Sequence, residues 1–453
     1  MRRLGFLGFP ALLVASACGQ QDTGTLQIIT GEETDTFTQS PVPTQIVVTA
    51  VDSSGKQTTL ATASYPTDTI DLGKLDESVD AEIQVTAKDA TGKELVYGAS
   101  VEVQYGALVG ATLPVFVQRV GQSARLPNPP TDARPSPTMG VLSNRYLIIA
   151  GGSDATLNTT TQVYDFGQFN LLGSPPSLPI VPSSMPIVNT VALLISPTDG
   201  QYYDFSQNLA EDVTPPGGFA FADVAGGQTI YDPSGKYVFV VGATRTTGGP
   251  TAAVLQIDTT DTSNSTYVTG NMTWLTLSVP RLGASAAFVP DRGLVVAGGN
   301  ATAAGVEVIA PGQVSGGQVP YPPDASSGAG MTLLDGIQTM LLAGGLNPDG
   351  TDAGVRSVVL GCASSCVPQA WGSGLTPPLT SAAAFAFNAA NAFVVGSEAQ
   401  SGLTHTFLLT TSGATEVPTK VQHTNAAAIE SPMGSSVLIY GGANEIESFT
   451  WSP

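Results

Sequence analysis

Side chains suited to nucleophilic, redox or metal chemistry are scarce in this chain, which contains three cysteines and two histidines. Two of the cysteines, Cys362 and Cys366, lie between predicted strands at 355–360 and 367–371. In an exported protein this spacing favours a disulfide that clamps the two arms of a hairpin. A metal site would need further ligands close in sequence, and a redox pair is the other alternative. We therefore predict a structural disulfide between Cys362 and Cys366.

The two histidines lie near the C-terminus, His405 within a predicted strand and His423 just before another. A single histidine in such a position is more often a packing or surface residue than a ligand. The sequence also contains no GxSxG, HExxH or P-loop motif. These observations predict no catalytic residue, no metal ligand and no cofactor.

Two acidic segments could offer oxygen ligands to Ca²⁺. The first contains Asp76, Glu77, Asp80 and Glu82, and the second is the segment NPDGTDAG at 347–354. A solvated strand edge explains the first pattern without an ion, and an Asp-Gly hairpin turn explains the second. Calcium binding is therefore the alternative interpretation of both segments.

The composition limits the class of protein. The chain has 453 residues, of which 11% are charged, and it contains 51 glycines and 33 prolines. This is typical of an all-β protein with many turns, and the length suits several domains or one large repeat array. The net charge of −20 leaves no basic surface to neutralise phosphates, which argues against nucleic-acid binding.

The N-terminus has the pattern of an export signal. Two arginines, Arg2 and Arg3, follow the initial Met. The next segment, Leu4–Val14, is uncharged and too short to span a bilayer as a permanent helix. Small residues at 15–17 then precede Cys18. This segment resembles a bacterial lipoprotein signal, in which the cysteine becomes the lipid-modified first residue of the mature chain. It departs from that family at Ala15, where leucine is usual.

The resemblance implies a signal peptide at 1–17, lipidation of Cys18 and a short lipidated tether at 18–24. Because Gly19 follows the cysteine where an aspartate would direct retention, the resemblance also implies the outer membrane of a bacterial cell envelope. An ordinary secretory signal, cleaved near Ala17, is the alternative.

Residues 25–116 are predicted to form a β-sandwich. Alternation of apolar and polar residues with period two predicts strands in this region, and turn sequences such as SSGK and ATGK separate them. Short strands at this spacing fit an Ig-like module, although no cysteine pair supports a true immunoglobulin domain. The predicted strands are 25–30, 45–52, 58–63, 81–88, 95–104 and 113–120.

The remainder of the chain, 117–453, is repetitive. Its unit is an apolar strand that ends in Gly-Gly, as in YLIIAGG at 146–152 and SVLIYGG at 436–442. The seven anchor positions, taken at the first glycine or its equivalent, are 151, 196, 242, 298, 344, 396 and 441. Their spacing of about 45–55 residues is the period of four-stranded propeller blades. A tight turn after the strand explains the glycines, since it requires a positive φ and has no room for a Cβ.

These repeats resemble the kelch repeat of the galactose-oxidase-like propellers. The aromatic strand TQVYDF at 161–166 and the three tryptophans, Trp274, Trp371 and Trp451, echo the positions that follow the glycine pair in that family. Arg134 and Arg281 match an arginine that opens many bacterial kelch blades. The resemblance implies a seven-bladed kelch-type β-propeller at 117–453.

The last repeat contains three predicted strands and lacks a fourth. We predict that 117–126 supplies it as the outermost strand, because this closure leaves no open sheet edge in the ring.

Three functions fit these residues. The first is a non-catalytic, membrane-anchored scaffold whose propeller binds a protein or glycan. The second is a carbohydrate-active enzyme of the sugar oxidase or lyase type, and the third is a structural part of an envelope complex. A sugar oxidase of the family that the repeats resemble would need two histidines, a tyrosine ligand and a free cysteine for a crosslink. Because Cys362 and Cys366 are assigned to a disulfide, neither is free for the crosslink, and the scaffold is preferred. The longest repeat intervals place candidate binding loops at Thr259–Thr269 and Gly372–Leu379.

Overall fold

The computed structural model describes residues 23–74, 78–173, 175–260, 271–336 and 338–451. Within these ranges the chain is all β, as the composition predicts, and three short 3₁₀ turns are the only helical elements: Tyr105–Leu108, Phe221–Asp223 and Gly242–Thr244. No helix in the described ranges is long and apolar enough to cross a membrane.

In the first part of the chain, the described residues form nine strands in two sheets. A three-stranded sheet has the order β4-β1-β8, and a larger sheet has the order β3-β2-β5-β6-β9, with β7 paired to β5. The strands are β1 Thr23–Ile29, β2 Gln45–Asp52, β3 Gln57–Ser64, β4 Thr69–Lys74, β5 Asp80–Lys88, β6 Glu94–Ala99, β7 Val103–Gln104, β8 Thr112–Phe116 and β9 Gln118–Arg119.

The two sheets share one apolar core because their strands alternate inward and outward side chains. Ile46, Val48 and Ala50 of β2 are buried, while the residues between them are half-buried. They pack in one cluster with Leu26 of β1 and Leu72 of β4, which belong to the opposite sheet. We call these two sheets the N-terminal unit. Strand β4 was not predicted, and the single predicted strand at 95–104 is divided into β6 and β7.

Seven four-stranded antiparallel sheets follow within the described ranges. The first three are β11 Thr138–Leu142, β12 Tyr146–Ala150, β13 Gln162–Asp165 and β14 Asn170–Leu171; β15 Ile187–Val188, β16 Val191–Ile195, β17 Gly200–Asp204 and β18 Leu209–Asp212; and β19 Gln228–Tyr231, β20 Tyr237–Val241, β21 Thr251–Asp258 and β22 Asn271–Arg281.

The fourth, fifth and sixth sheets continue in chain order. They are β23 Ser285–Val289, β24 Gly293–Ala297, β25 Val306–Ile309 and β26 Gly317–Val319; β27 Gly330–Leu333, β28 Thr339–Ala343, β29 Val355–Val359 and β30 Gln369–Ala370; and β31 Leu379–Asn388, β32 Asn391–Glu398, β33 Thr404–Thr410 and β34 Gly413–Glu416. The seventh sheet combines β10 Ser123–Arg125 with β35 Ala427–Glu430, β36 Ser436–Tyr440 and β37 Glu447–Thr450, in the order β10-β37-β36-β35.

Apolar clusters join each sheet to the next and the seventh to the first. Along β12, Leu147 and Ile149 pack with Leu438 and Tyr440 of the seventh sheet, whereas Ile148 packs with residues of the second sheet. The second strand of each sheet is therefore apolar on both faces. This explains continuous apolar runs such as YLIIA. Equivalent clusters lie between the members of each of the five remaining pairs of neighbouring sheets. This ring of sheets is a β-propeller, as the repeat period predicts.

The segment 117–126 has two roles, where the sequence predicts one. Ser123–Arg125 pairs antiparallel with β37 as the outermost strand of the seventh sheet. The two residues of β9 pair instead with β6 of the N-terminal unit. Buried Arg119 accounts for this division, because its guanidinium donates to the carbonyls of Thr36, Gln39 and Pro41. The prediction that all of 117–126 closes the propeller is therefore wrong for Gln118 and Arg119.

Candidate functional site

The connections between strands lie at two ends of the sheets. Because the strands alternate in direction, turns from first to second and from third to fourth strand share one end, which we call the hairpin end. Turns from second to third strand, and the links from one sheet to the next, share the other end, which we call the glycine end. The glycine pairs lie there, at 151–152, 298–299, 344–345 and 441–442.

A recurring set of buried polar residues supports the glycine end. Arg134, Arg281 and His423 each lie four residues before the first strand of a sheet and are fully buried. Each places a side-chain nitrogen against the carbonyl of the first glycine of the pair, at 3.4 Å for Gly151, 2.8 Å for Gly298 and 3.0 Å for Gly441. We call these three residues the basic anchors.

The glycine pairs pack against the chain segments that contain the basic anchors. All members of the four pairs have positive φ, a conformation that favours glycine. A Cβ on Gly299 would lie 2.8 Å from the carbonyl oxygen of Leu282, and one on Gly442 would lie 2.3 Å from the amide nitrogen of Thr424. Leu282 and Thr424 directly follow basic anchors. The glycine pairs therefore allow a close backbone contact between the end of the second strand and the segment that enters the same sheet.

Carboxylates balance the charge of the anchors. Arg281 Nη2 lies 3.4 Å from Glu307 Oε2, and both side chains are fully buried. Arg134 Nη2 lies 2.5 Å from Asp132, which also accepts hydrogen bonds from Gln162 and Tyr440. Burial alone would raise the pKa of Asp132, but these hydrogen bonds outweigh it and lower the pKa to about 2. Arg134 and Arg281 are thus paired with Asp132 and Glu307, while Arg281 Nε has no hydrogen-bond partner among the described residues.

The two histidines have separate partners. His405 Nδ1 donates to Glu416 at 2.8 Å, and this pair lies on β33 and β34 of the sixth sheet. His423 Nδ1 donates to the Gly441 carbonyl, and its Nε2 lies 3.3 Å from Glu447. Within the described ranges no group of three or more histidine, cysteine, aspartate or glutamate side chains is placed to hold a metal ion.

The structure joins Cys362 and Cys366 in a disulfide, at the hairpin where the sequence predicts one. Cys366 is buried against the core between the fourth and fifth sheets, while Cys362 is half-buried. The closed loop is short, so the bridge contributes only about 2 kcal/mol of chain entropy. This contact belongs to the framework of the fifth sheet.

The remaining sequence-predicted residues are dispersed. Cys18 lies outside the described residues, as do Asp76 and Glu77 of the first acidic segment and positions 261–270 of the loop Thr259–Thr269. Of the first loop, Thr259 and Thr260 follow β21 at the hairpin end, whereas Gly372–Leu379 joins the fifth sheet to the sixth at the glycine end. The remaining acids of the first segment lie on β5, and Asp349 of the second organises a turn by accepting from the Thr351 amide and hydroxyl.

A concave feature of the described residues lies at the hairpin end, between the third and fourth sheets. Here a groove of about 270 Å³ opens between three turns, at 232–236, 290–292 and 310–313. Its lining comprises strand residues and turn residues. The strand residues are Tyr237, Phe239, Gln256, Leu275, Phe288, Gly293, Leu294 and Ile309, and the turn residues are Asp232, Pro233, Ser234, Pro290, Asp291, Ala310, Pro311, Gly312 and Gln313.

Packing between the two sheets fixes the floor of this groove. The rings of Phe239 and Phe288 stack with centroids 5.8 Å apart and planes inclined by 19°. Phe239, Leu294 and Ile309 are at most 3% exposed, while Tyr237 and Phe288 are half-buried. Because these residues belong to strands, the groove is preformed.

The rim is polar and organised by its own turns. Asp232 accepts hydrogen bonds from the Ser234 amide at 2.9 Å and hydroxyl at 2.6 Å, and the Gln313 amide donates to the Ala310 carbonyl. Beside the rim, Lys236 Nζ lies 4.8 Å from the centre of the Tyr237 ring, and exposed Arg292 follows Asp291 along the chain. Sequence reasoning missed this groove. The turn sequences DPSG and PDRG mark two hairpins, but nothing in the sequence indicates that they meet.

No family model and no curated protein matches this chain. Among solved structures, it is similar to the Cps50 (Swd1) β-propeller domain of Myceliophteria thermophila, at 9% identity and a TM-score of 0.43, covering 71% of this chain and 99% of that one. It is also similar to the computationally designed Ika8 protein, at 11% identity and a TM-score of 0.42, covering 72% and 100%. A quinoprotein alcohol dehydrogenase-like protein of Bacteroides thetaiotaomicron has 11% identity and a TM-score of 0.40, covering 88% and 96%.

Proposed function

We propose that this chain is a lipid-anchored protein of the bacterial cell envelope, in which a seven-bladed kelch-type propeller is a non-catalytic binding scaffold. Seven four-stranded sheets and the repeated glycine pairs support this description of the propeller. The N-terminal unit, with two sheets on one core, supports an Ig-like sandwich that separates the propeller from the membrane.

The groove between the third and fourth sheets is the observation that carries the binding function. It combines a preformed apolar floor with polar groups at the mouth, which is the usual composition of a ligand site. The buried charges of the glycine end, in contrast, are occupied by framework contacts. We therefore assign partner binding to the groove.

Site-specific photocrosslinking in the native envelope tests this assignment. A benzophenone side chain in place of exposed Gln313 at the groove rim should yield a discrete crosslinked product. The matched control replaces exposed Ala301, which lies on the same sheet at the glycine end, and should yield none. Equal products from both positions, or none from Gln313, would remove the groove from the binding function.

The lipid anchor is tested by Cys18→Ser. We expect the variant to lose acyl labelling and to move from the membrane fraction to the soluble fraction or to remain unprocessed, because the thiol is the only acceptor for the lipid at that position. Metabolic labelling with a fatty-acid analogue and fractionation measure both effects. Continued labelling and membrane association would contradict the anchor while leaving the groove assignment untouched.

A further inference from the structure

His423 occupies the position that an arginine holds in two other sheets. Arg134, Arg281 and His423 each contact the carbonyl of the first glycine of a pair. An arginine side chain keeps its charge throughout the physiological pH range, whereas a histidine gains or loses its charge between about pH 5 and 8. Of the three basic anchors, His423 is therefore the one whose charge depends on pH.

Arg281 and His423 each face a glutamate at an equivalent place in their sheets. Glu307 and Glu447 each lie opposite the residue that precedes the first glycine by two positions. Each also accepts a hydrogen bond from the backbone amide three residues before the anchor. The side chains of both anchors and both glutamates are fully buried. The histidine pair of the seventh sheet thus repeats the arginine pair of the fourth.

The contacts of the His423 ring require two protons. Nδ1 lies 3.0 Å from the carbonyl oxygen of Gly441, and Nε2 lies 3.3 Å from Oε1 of Glu447. Nε2 has no other partner within the described residues. Both facing atoms are acceptors, and a neutral imidazole has only one N–H to donate. The arrangement therefore fits the imidazolium, the charged form of the ring, which donates to both acceptors at once.

Loss of one ring proton would leave a buried charge beside the strand that closes the propeller. The Glu447 carboxylate also accepts hydrogen bonds from the amides of Lys420 and Val421, which carry no net charge. Glu447 lies in register with Arg125 on β10. Removing the counter-charge of a buried carboxylate is strongly destabilising. A neutral His423 ring should therefore weaken the pairing of β37 with β10.

Three ion pairs lie around this contact: Arg125 with Glu33, Arg134 with Asp132, and His405 with Glu416. Lys420 is exposed, and Glu32 and Glu445 add negative charge nearby. Burial raises the pKa of Glu445, and the attraction of Arg125 and His423 opposes that rise. The other cations are thus paired or exposed, and His423 supplies the buried counter-charge of Glu447.

We propose that His423 and Glu447 form a pH-sensitive lock on the sheet that closes the propeller. In the acidic part of the range the imidazolium holds Glu447 of β37 and the Gly441 carbonyl together. As the pH rises the ring loses a proton, the lock opens, and β10 is held less tightly. This inference goes beyond the proposed binding function and does not depend on the groove.

Nitrogen-15 NMR of the full-length protein, labelled at its two histidines, measures the protonation of His423. At about pH 5.5 both ring nitrogens should carry a proton, and at about pH 8.5 one of them should not. Hydrogen exchange, read by mass spectrometry and corrected for the intrinsic effect of pH, reports the closure. Protection of β10 and β37 should fall by about tenfold or more over this range, in step with the ring titration. Strands β23 and β24 of the fourth sheet, which Arg281 anchors, are the internal control and should keep their protection.

Two substitutions separate this lock from the other histidine. His423→Gln removes the charge at every pH, so β10 and β37 should show at about pH 5.5 the low protection that the wild type shows at about pH 8.5. His405→Gln is the matched control and should behave as the wild type does. The proposal is overturned by a singly protonated His423 ring at about pH 5.5, by protection of β10 and β37 that does not change with pH, by an equal change in the fourth sheet, or by a pH dependence that His405→Gln abolishes. The wild-type measurements decide the matter even where His423→Gln does not fold.

Discussion

Replacing Arg281 with alanine should lower the free energy of unfolding by about 3–5 kcal/mol, the cost of removing one partner of a buried ion pair. Arg281 is fully buried and donates to the carbonyls of Gly298 and Ala304 as well as contacting Glu307. Burial lowers the pKa of the guanidinium, partly offset by the attraction of Glu307. Without the arginine, the buried Glu307 carboxylate loses its counter-charge and two carbonyls lose their donor.

Urea unfolding followed by tryptophan fluorescence measures this effect. Arg292→Ala is the control, because Arg292 is exposed and its loss should change the free energy by less than about 0.5 kcal/mol. The double substitution Arg281→Met and Glu307→Gln should recover a large part of the loss, since no unpaired charge remains. A change below about 1 kcal/mol in Arg281→Ala would refute the structural role of the basic anchors.

Ala124→Pro should open the ring of sheets and destabilise the protein by about 3 kcal/mol or more. Ala124 lies in register with Ser448 on β37, and the Leu126 amide two residues later donates to the Ile446 carbonyl at 2.9 Å. Alternation along the strand directs the Ala124 amide to the same side. Proline removes that donor from the strand that closes the seventh sheet.

Ala370→Pro is the matched control. Ala370 also lies on an outermost strand, but the next residue, Trp371, directs its amide inward to the Val355 carbonyl, so the Ala370 amide faces outward. Proline is tolerated at such an edge position. Thermal unfolding and limited proteolysis should therefore distinguish the two variants. Similar melting temperatures for both would count against closure by β10.

Local pattern determined much of the framework. Runs such as YLIIA before Gly-Gly identified the second strand of several sheets, because a strand buried on both faces must be apolar throughout. The period of the repeats predicted a propeller, and the spacing of Cys362 and Cys366 predicted the disulfide that the structure contains. Each of these features depends on neighbouring residues, which a sequence displays directly.

The division of 117–126 was beyond the sequence. Gln118 and Arg119 have the same alternating pattern as the residues that follow them, so either sheet could have accepted them. Contacts of Arg119 with the carbonyls of residues 36, 39 and 41 decide the matter. These contacts join segments about eighty residues apart, and no local pattern records which distant carbonyls a guanidinium will reach.

By itself, the sequence determined that the chain is all β, that its second part repeats as a propeller, and that glycine pairs end the repeated strands. Only the tertiary structure decided where Arg134, Arg281 and His423 direct their side chains, and that three unremarkable turns surround one apolar groove. The physical reason is the sequence separation over which the interactions act. Backbone conformation and strand burial depend on short-range residue patterns, whereas buried ion pairs and concave sites form where separate sheets pack against each other.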